Sequence, residues 1–334
     1  MDAMLRYLLL VLLAALSAAS RAGDALPALK AREFDLCPQK SSCERIAGIR
    51  VLGALDLPTH LLDNGIRFGG LSGLAWDDND QRLYAVSDRG VVFGLRPVFR
   101  NDRLVDVSLL SANSLIDPLT QKPVKWQRSD SEGMDILNGR NGHKGDAELV
   151  ISFEGNPRIA RYRPDGRFIA EVELAKSLRD AKNYNYNRML ESVCVHPREG
   201  ILTAPEVPMV GQVGKRLYRA DGRSWRIPPG RGDIVALECL PDGDILLMER
   251  DLLKLSLHWV ITLRRLHLPP NTPVDSLLKA QTVVELDGAE LSIDNFEGLA
   301  RHRGNRFFMV SDDNNVFVQH TLLVYFELLP ASAP

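Results

Sequence analysis

Acidic side chains recur in this sequence at places where they could act together. Glu132, Glu191, Glu238 and Glu297 each open a short apolar segment, Ser72 opens a fifth, and the openers are 47 to 60 residues apart. After a polar turn a second apolar segment follows each of them and ends on a further carboxylate: Asp88, Glu154, Glu206, Glu249 or Asp312. Carboxylates brought together repel one another unless positive charge intervenes. Hard oxygen ligands without Cys or His suit Ca2+ or Mg2+. Glu132, Glu191, Glu238, Glu297, Asp312 and the nearby Asn314 are therefore candidate metal ligands. Arginine is the competing solution, because a guanidinium can neutralise a carboxylate through two parallel hydrogen bonds, and Arg89, Arg158, Arg188 and Arg250 flank these acids. A third use needs neither, since an acidic residue beside a turn can accept hydrogen bonds from its backbone N–H groups. Residue types leave the three open.

Other catalytic signatures are missing. There is no GxSxG elbow, no Walker loop, no HExxH and no GxGxxG opening a βαβ unit. His60, His143, His196, His258, His267, His302 and His320 are scattered without ligand spacing and are expected to be structural or exposed. Asp312, Asp313, Asn314 and Asn315 form the densest run of oxygen donors but lack the spacing of a helix–loop–helix calcium site. A polar-aromatic stretch, Asn183 to Asn187 with Tyr184 and Tyr186, could line a mouth or be an ordinary surface turn.

The elements that must position these residues are short strands. The recurring pattern is seen in LSGLAWDDNDQRLYAVSDRG (71–90), in SEGMDIL with AELVISFEGNPRIARY (131–162), in LESVCVHPREGILTAPEVP (190–208), in ALECLPDGDILLMERD (236–251) and in FEGLARHRGNRFFMVSDDNN (296–315). Leu83, Ala85 and Ser87 alternate with Tyr84 and Val86, and Asp165-Gly166, Asp221-Gly222 and Asp242-Gly243 are hairpin-turn dipeptides. A period near 50 residues built from strands and turns is the signature of a propeller or similar array. The expectation is an all-β propeller of four-stranded blades. It has five blades, or six if a degenerate repeat hides in 108–130 or 252–281. Only Glu173 to Lys182 reads as a possible helix. Because an open sheet edge exposes unpaired backbone groups, the strand Ile46 to Leu57 should share the closing blade with Thr321 to Leu328.

Composition bounds the rest. Basic and acidic residues are nearly balanced, 41 against 43, so the basic excess of a general nucleic-acid binder is missing. Residues 1–22 read as a signal peptide: Arg6 supplies the positive start, Tyr7 to Leu16 the apolar run, and small residues the end, with cleavage after Ser20 or Ala22. That run falls short of the roughly 20 residues of a membrane span, and no later segment is long and apolar enough. The expectation is an exported, soluble chain, periplasmic or secreted, monomeric because no heptad run appears. It comprises an N-terminal extension (23–43), a propeller (44–329) and a short tail (330–334). An exported chain meets oxidising conditions, so Cys37 and Cys43 are expected to pair. Cys194 and Cys239 either bridge neighbouring strands or remain buried thiols.

The segments GLSGLAWDDNDQRLYAVSDRG, ISFEGNPRIARY, NRMLESVCVHP and DNFEGLARHRGNRFFMVSDDNN, the last followed by QHTLLVYFEL, resemble in order and spacing the phytase-like family, also called "esterase-like activity of phytase" proteins. The resemblance spans about Ile46 to Leu328. It implies an exported propeller-like domain with acidic and asparagine-rich loops gathered at one end, and metal-dependent hydrolysis of phosphate or carboxylate esters. Asp88, Arg89, Glu132, Glu154, Arg158, Glu191, Glu297, Asp312 and Asn314 match its motifs, while Ser72 stands where other repeats carry Glu. On that basis Asp88, Arg89, Glu154 and Arg158 are the candidate catalytic residues, with Arg89 or Arg158 stabilising developing charge and Ca2+ as the expected ion. The alternative is a non-catalytic propeller that binds a small ligand, an envelope glycan or a protein partner.

Overall fold

The computed structural model describes residues 29–39, 43–62, 64–125, 129–185, 188–314, 316 and 319–330. The expected leader, the end of the tail, Tyr186, Asn187 and Asn315 lie outside the described residues. The chain forms a five-bladed β-propeller, each blade an antiparallel sheet in which consecutive strands are neighbours. Blade 1 is built from Leu71–Asp77, Arg82–Ser87, Val91–Arg100 and Arg103–Ser114. Blade 2 uses Ser131–Leu137, Glu148–Phe153, Arg158–Tyr162 and Phe168–Glu171, and blade 3 uses Leu190–His196, Gly200–Pro205, Arg216–Arg219 and Ser224–Arg226. Blade 4 comprises Asp233–Cys239, Ile245–Leu253, His258–His267 and Lys279–Asp287. Among the described residues neither stretch that might have hidden a sixth blade contains one: Arg103–Ser114 is the outer strand of blade 1, and His258–His267 is the third strand of blade 4.

Blade 5 closes the ring. Asn295–Arg303, Arg306–Asp312 and Thr321–Leu328 come from the end of the chain, and Ile49–Leu57 from its beginning pairs antiparallel with the last of them, Thr321 opposite Leu57 and Leu328 opposite Ile49. The terminal strands thus satisfy each other's backbone groups.

Period-two alternation builds the core. Five hydrophobic clusters fill the five interfaces between adjacent blades. Phe307 packs toward blade 4 and its neighbour Phe308 toward blade 1, as successive strand side chains point to opposite faces. Middle strands are therefore apolar on both sides, which explains runs such as Ile245 to Met248. The three Asp-Gly turns repeat one geometry. Asp165, Asp221 and Asp242 accept from the backbone N–H two residues on at 3.0–3.1 Å, and Gly166, Gly222 and Gly243 take φ of 86°, 89° and 93°, where a side chain would be strained. The expected helix shrinks to Lys176–Arg179, followed by a 3-10 turn at Ala181–Asn183 between blades 2 and 3.

Candidate functional site: an acidic channel mouth

Each innermost strand carries a β-bulge near its start, which bends the strand and re-aims a side chain. The register shifts fall at Leu71/Gly73, Ser131/Met134, Leu190/Ser192, Ile234/Ala236 and Phe296/Gly298. The residues passed over include Ser72, Glu132, Glu191, Val235 and Glu297, which are equivalent positions of the five blades. Next to them on the channel side come Gly73, Gly133, Ser192, Ala236 and Gly298. Small residues are needed here because five strands converge on the axis. A Cβ on Gly73 would lie 2.6 Å from the Glu132 carbonyl oxygen, and one on Gly133 would lie 2.7 Å from Ser192 Cα.

The second strands end at the same mouth. The pairs Leu71–Ser87, Ser131–Phe153, Leu190–Pro205, Ile234–Glu249 and Phe296–Ser311 are in register, so the next residues, Asp88, Glu154, Glu206, Arg250 and Asp312, are equivalent. In blade 4, then, both acidic positions are replaced, by Val235 and Arg250. The Arg250 guanidinium binds Glu297, donates to Asn295 Oδ1 at 2.7 Å and reaches Glu206 Oε1 at 3.3 Å. Burial alone would weaken its hold on the proton, but Glu297, Glu191 and Glu206 outweigh that and raise its pKa.

One arginine does not neutralise the cluster. Burial, reinforced by Glu191 and Glu297, lifts Glu132 well above the usual carboxylate range, and burial with Glu206 and Glu154 does the same for Glu191. Burial is also the main cause that pushes Asp88 up to about 6, Glu154 to about 7 and Asp312 to about 8. In Asp312 the charge of Glu297 adds to it. The remaining cations sit at the edge. Arg89 Nε is 4.0 Å from Asp88, and Arg188 is shared between Glu206 at 3.7 Å and Asp233 at 2.8 Å. Arg158 is buried, its guanidinium 3.7 Å from the Phe153 ring centre, and its charge acts on Asp130.

Whether these residues suit a cation can be tested on their oxygens. Glu191 Oε2 and Asp88 Oδ1 are buried without a hydrogen-bond partner, as is Ser72 Oγ. Asp130, Glu132 and Glu154 each bring one carboxylate oxygen within 4.8 Å of the others. This oxygen-only set, short of donors, can hold a hard divalent ion.

The phytase-like family profile, described as "esterase-like activity of phytase", matches residues 66–315, from blade 1 into blade 5. The chain belongs to the phytase-like family. Among curated proteins no sequence matches significantly. Solved structures similar to this phytase-like chain share little sequence identity with it. A gluconolactonase from Xanthomonas campestris shares 14% identity at TM-score 0.40, over 91% of this chain and 98% of that one. The Cps50 (Swd1) propeller of "Myceliophteria thermophila" shares 11% at TM-score 0.38, over 90% and 99%. The Dos1 propeller shares 10% at TM-score 0.37, over 85% and 77%.

The mouth of this phytase-like propeller gathers Asp88, Glu132, Glu154, Glu191, Glu297 and Asp312, with Arg89 at its rim and Arg158 behind Asp130. Glu238 is not there. It lies three residues beyond Val235 on an innermost strand, about 10 Å farther along at the usual strand rise, and faces Asp135, Arg301 and Arg140 at the opposite end. Asn314 is exposed, its side chain donating to Gln319 Oε1 at 3.0 Å and only its backbone N–H meeting Asp312. Glu249 points away from the axis into a buried pair of Lys215 at 2.7 Å and Arg264 at 3.2 Å. In the fourth repeat the glutamates stand three positions after the true opener, Val235, and one before the true closer, Arg250. The pairs Ser72-Gly73, Glu132-Gly133, Glu191-Ser192, Val235-Ala236 and Glu297-Gly298 would have set the register right. Sequence reasoning also missed Asp130, two residues before Glu132; Asp313, counted in the oxygen-rich run but not among the candidate ligands, accepts from Gly70 N–H at 3.2 Å.

Proposed function

We propose that this phytase-like propeller is a metal-dependent hydrolase of phosphate or other esters, acting at the acidic mouth. What carries the proposal is the convergence of buried carboxylates, some with unpartnered oxygens, in excess of the arginines among them. An anionic ester would be repelled by this mouth unless the charge were first offset. Asp130, Glu132 and Glu154 would hold a divalent ion such as Ca2+, with Glu191, Glu297 and Asp312 around it. When bound, the ion supplies Lewis acidity toward the ester oxygen and toward water.

The chain's own residues do the rest. Asp88, raised to about 6 and lying beside Arg89, is ionised near neutral pH and can accept a proton. Arg89, exposed at the rim, can meet an anionic ester oxygen. Arg158, stacked on Phe153, keeps Asp130 in place. Export is part of the same reading. Cys37–Cys43 and Cys194–Cys239 are both disulfides, which suits an oxidising compartment, and among the described residues no helix is long and apolar enough to cross a membrane.

The test is turnover of p-nitrophenyl phosphate, bis-p-nitrophenyl phosphate and short acyl esters, with Ca2+ and with EDTA. Turnover lost in EDTA and in folded Glu132→Gln is the expected result. Rates at buffer level across the panel, or rates indifferent to EDTA, would overturn the proposal.

A further inference from the structure

The channel has a second end, and its chemistry differs. There the ends of the innermost strands of blades 2, 3 and 4 and the turns after them, with Arg301 of blade 5, line an open cavity of about 400 Å3. The channel between the two ends narrows to a void of about 10 Å3 lined by Gly73, Gly133 and Gly298, at the lower limit for a single water. The far cavity is thus a compartment separate from the acidic mouth.

Its charged groups are Asp135, Glu238, Arg140 and Arg301. The acids are largely engaged by backbone donors. Asp135 accepts from Ile136 N–H at 2.7 Å and from Val195 N–H at 2.6 Å, tying blade 2 to blade 3. Glu238 accepts from Arg301 N–H at 3.0 Å, tying blade 4 to blade 5. Arg140 spends one nitrogen, Nη2, on the carbonyls of Arg301 and His302, each at 2.7 Å. Arg301 takes part through its backbone, and its guanidinium has no hydrogen-bond partner among the described residues. The unused hydrogen-bonding capacity in the cavity is mostly that of donors. Burial and the nearby charge of Arg301 both push the Arg140 guanidinium down, while burial and Asp135 lift Glu238 to about 8. Arg140 and Arg301 act on the charges of Asp135 and Glu238, so the two cations and two acids balance formally, and what is left over in the cavity is the guanidinium donors that no acceptor uses.

We propose that this far cavity binds a small oxyanion, phosphate or carboxylate, through the Arg301 guanidinium with Arg140 beside it. A planar guanidinium matches both anions through paired N–H···O bonds, and the volume is that of a small-molecule site. Neither the metal nor the ester chemistry of the other mouth is required.

The experiment is calorimetric titration and thermal shift of the whole protein in EDTA, with inorganic phosphate and with acetate, against chloride at matched ionic strength. Saturable binding of either anion, with none for chloride, is expected, and the anion that binds identifies the ligand chemistry. Arg301→Gln should weaken it about tenfold or more, and Glu132→Gln at the acidic mouth should leave it unchanged. Arg301→Lys, which keeps the charge but not the fork, should also bind more weakly, and it replaces the glutamine variant if that one fails to fold. No saturable response to either anion in the wild-type protein, or wild-type affinity in a folded Arg301 variant, would overturn the proposal.

Discussion

Metal-free protein should lose stability as pH rises through neutrality, and Asp312 and Glu154 set the scale. Folding moves Asp312 from 3.8 to about 8 and Glu154 from 4.5 to about 7, burial being the first cause in each. Between those limits the native state holds protons that the unfolded chain has released. The unfolded state therefore binds fewer protons, and unfolding free energy must fall with rising pH. Stability is greatest below the unfolded values near 4 and is lost as pH climbs through the folded ones. From pH 5 to 7 the two groups together cost about 5 kcal/mol, at roughly 1.4 kcal/mol per unit for each carboxyl that stays protonated only in the native state. Against a typical total of about 5–15 kcal/mol that loss is severe. A divalent ion competes with those protons, so Ca2+ should restore stability and do so more strongly at higher pH. Urea denaturation in EDTA at pH 5, 6, 7 and 8 measures the slope, and the same series with Ca2+ measures the rescue. Asp312→Asn, which keeps an acceptor for the Asn314 N–H, should flatten the slope by about 1.4 kcal/mol per pH unit. A flat or rising profile in EDTA, or an unchanged slope in Asp312→Asn, would refute the reasoning.

Three further outcomes follow from the same geometry. Arg250→Met leaves Glu297 and Glu206 without their shared cation; it should cost about 3–5 kcal/mol in EDTA, and less when Ca2+ is present, as read by denaturant midpoints. Gly73→Ala drives a Cβ to 2.6 Å from the Glu132 carbonyl and 2.8 Å from Met134 N, and should lose about 1–3 kcal/mol in equilibrium unfolding through overpacking at the waist. Replacing both Cys194 and Cys239 by serine opens a link across 45 residues of chain, which the chain-entropy estimate values at about 4 kcal/mol. Thermal denaturation of the double variant against wild type gives the check.

Much of this protein is written locally. Alternation such as Leu83 to Ser87, the Asp-Gly turns and the repeated apolar segments specify strands and hairpins without reference to the rest of the chain. The closing strands were legible too, because an unpaired edge at each terminus of the repeats has one obvious partner. So was the convergence of Glu132, Glu191, Glu297, Asp88, Glu154 and Asp312, which follows once equivalent residues of like blades face one axis. Register in blade 4 was not. Inserted loop residues change a position along the chain without changing its place in the ring, so spacing could not distinguish Glu238 from Val235 or Glu249 from Arg250. A slip of one residue turns a side chain from one face of the strand to the other, and here it turned Glu249 away from the channel and Arg250 into it. The blade count, the Cys194–Cys239 bridge between neighbouring blades and the separate charge balance of the far cavity likewise depend on which strands become neighbours. Neighbourhood is decided by closing the ring, and only the folded structure contains that closure.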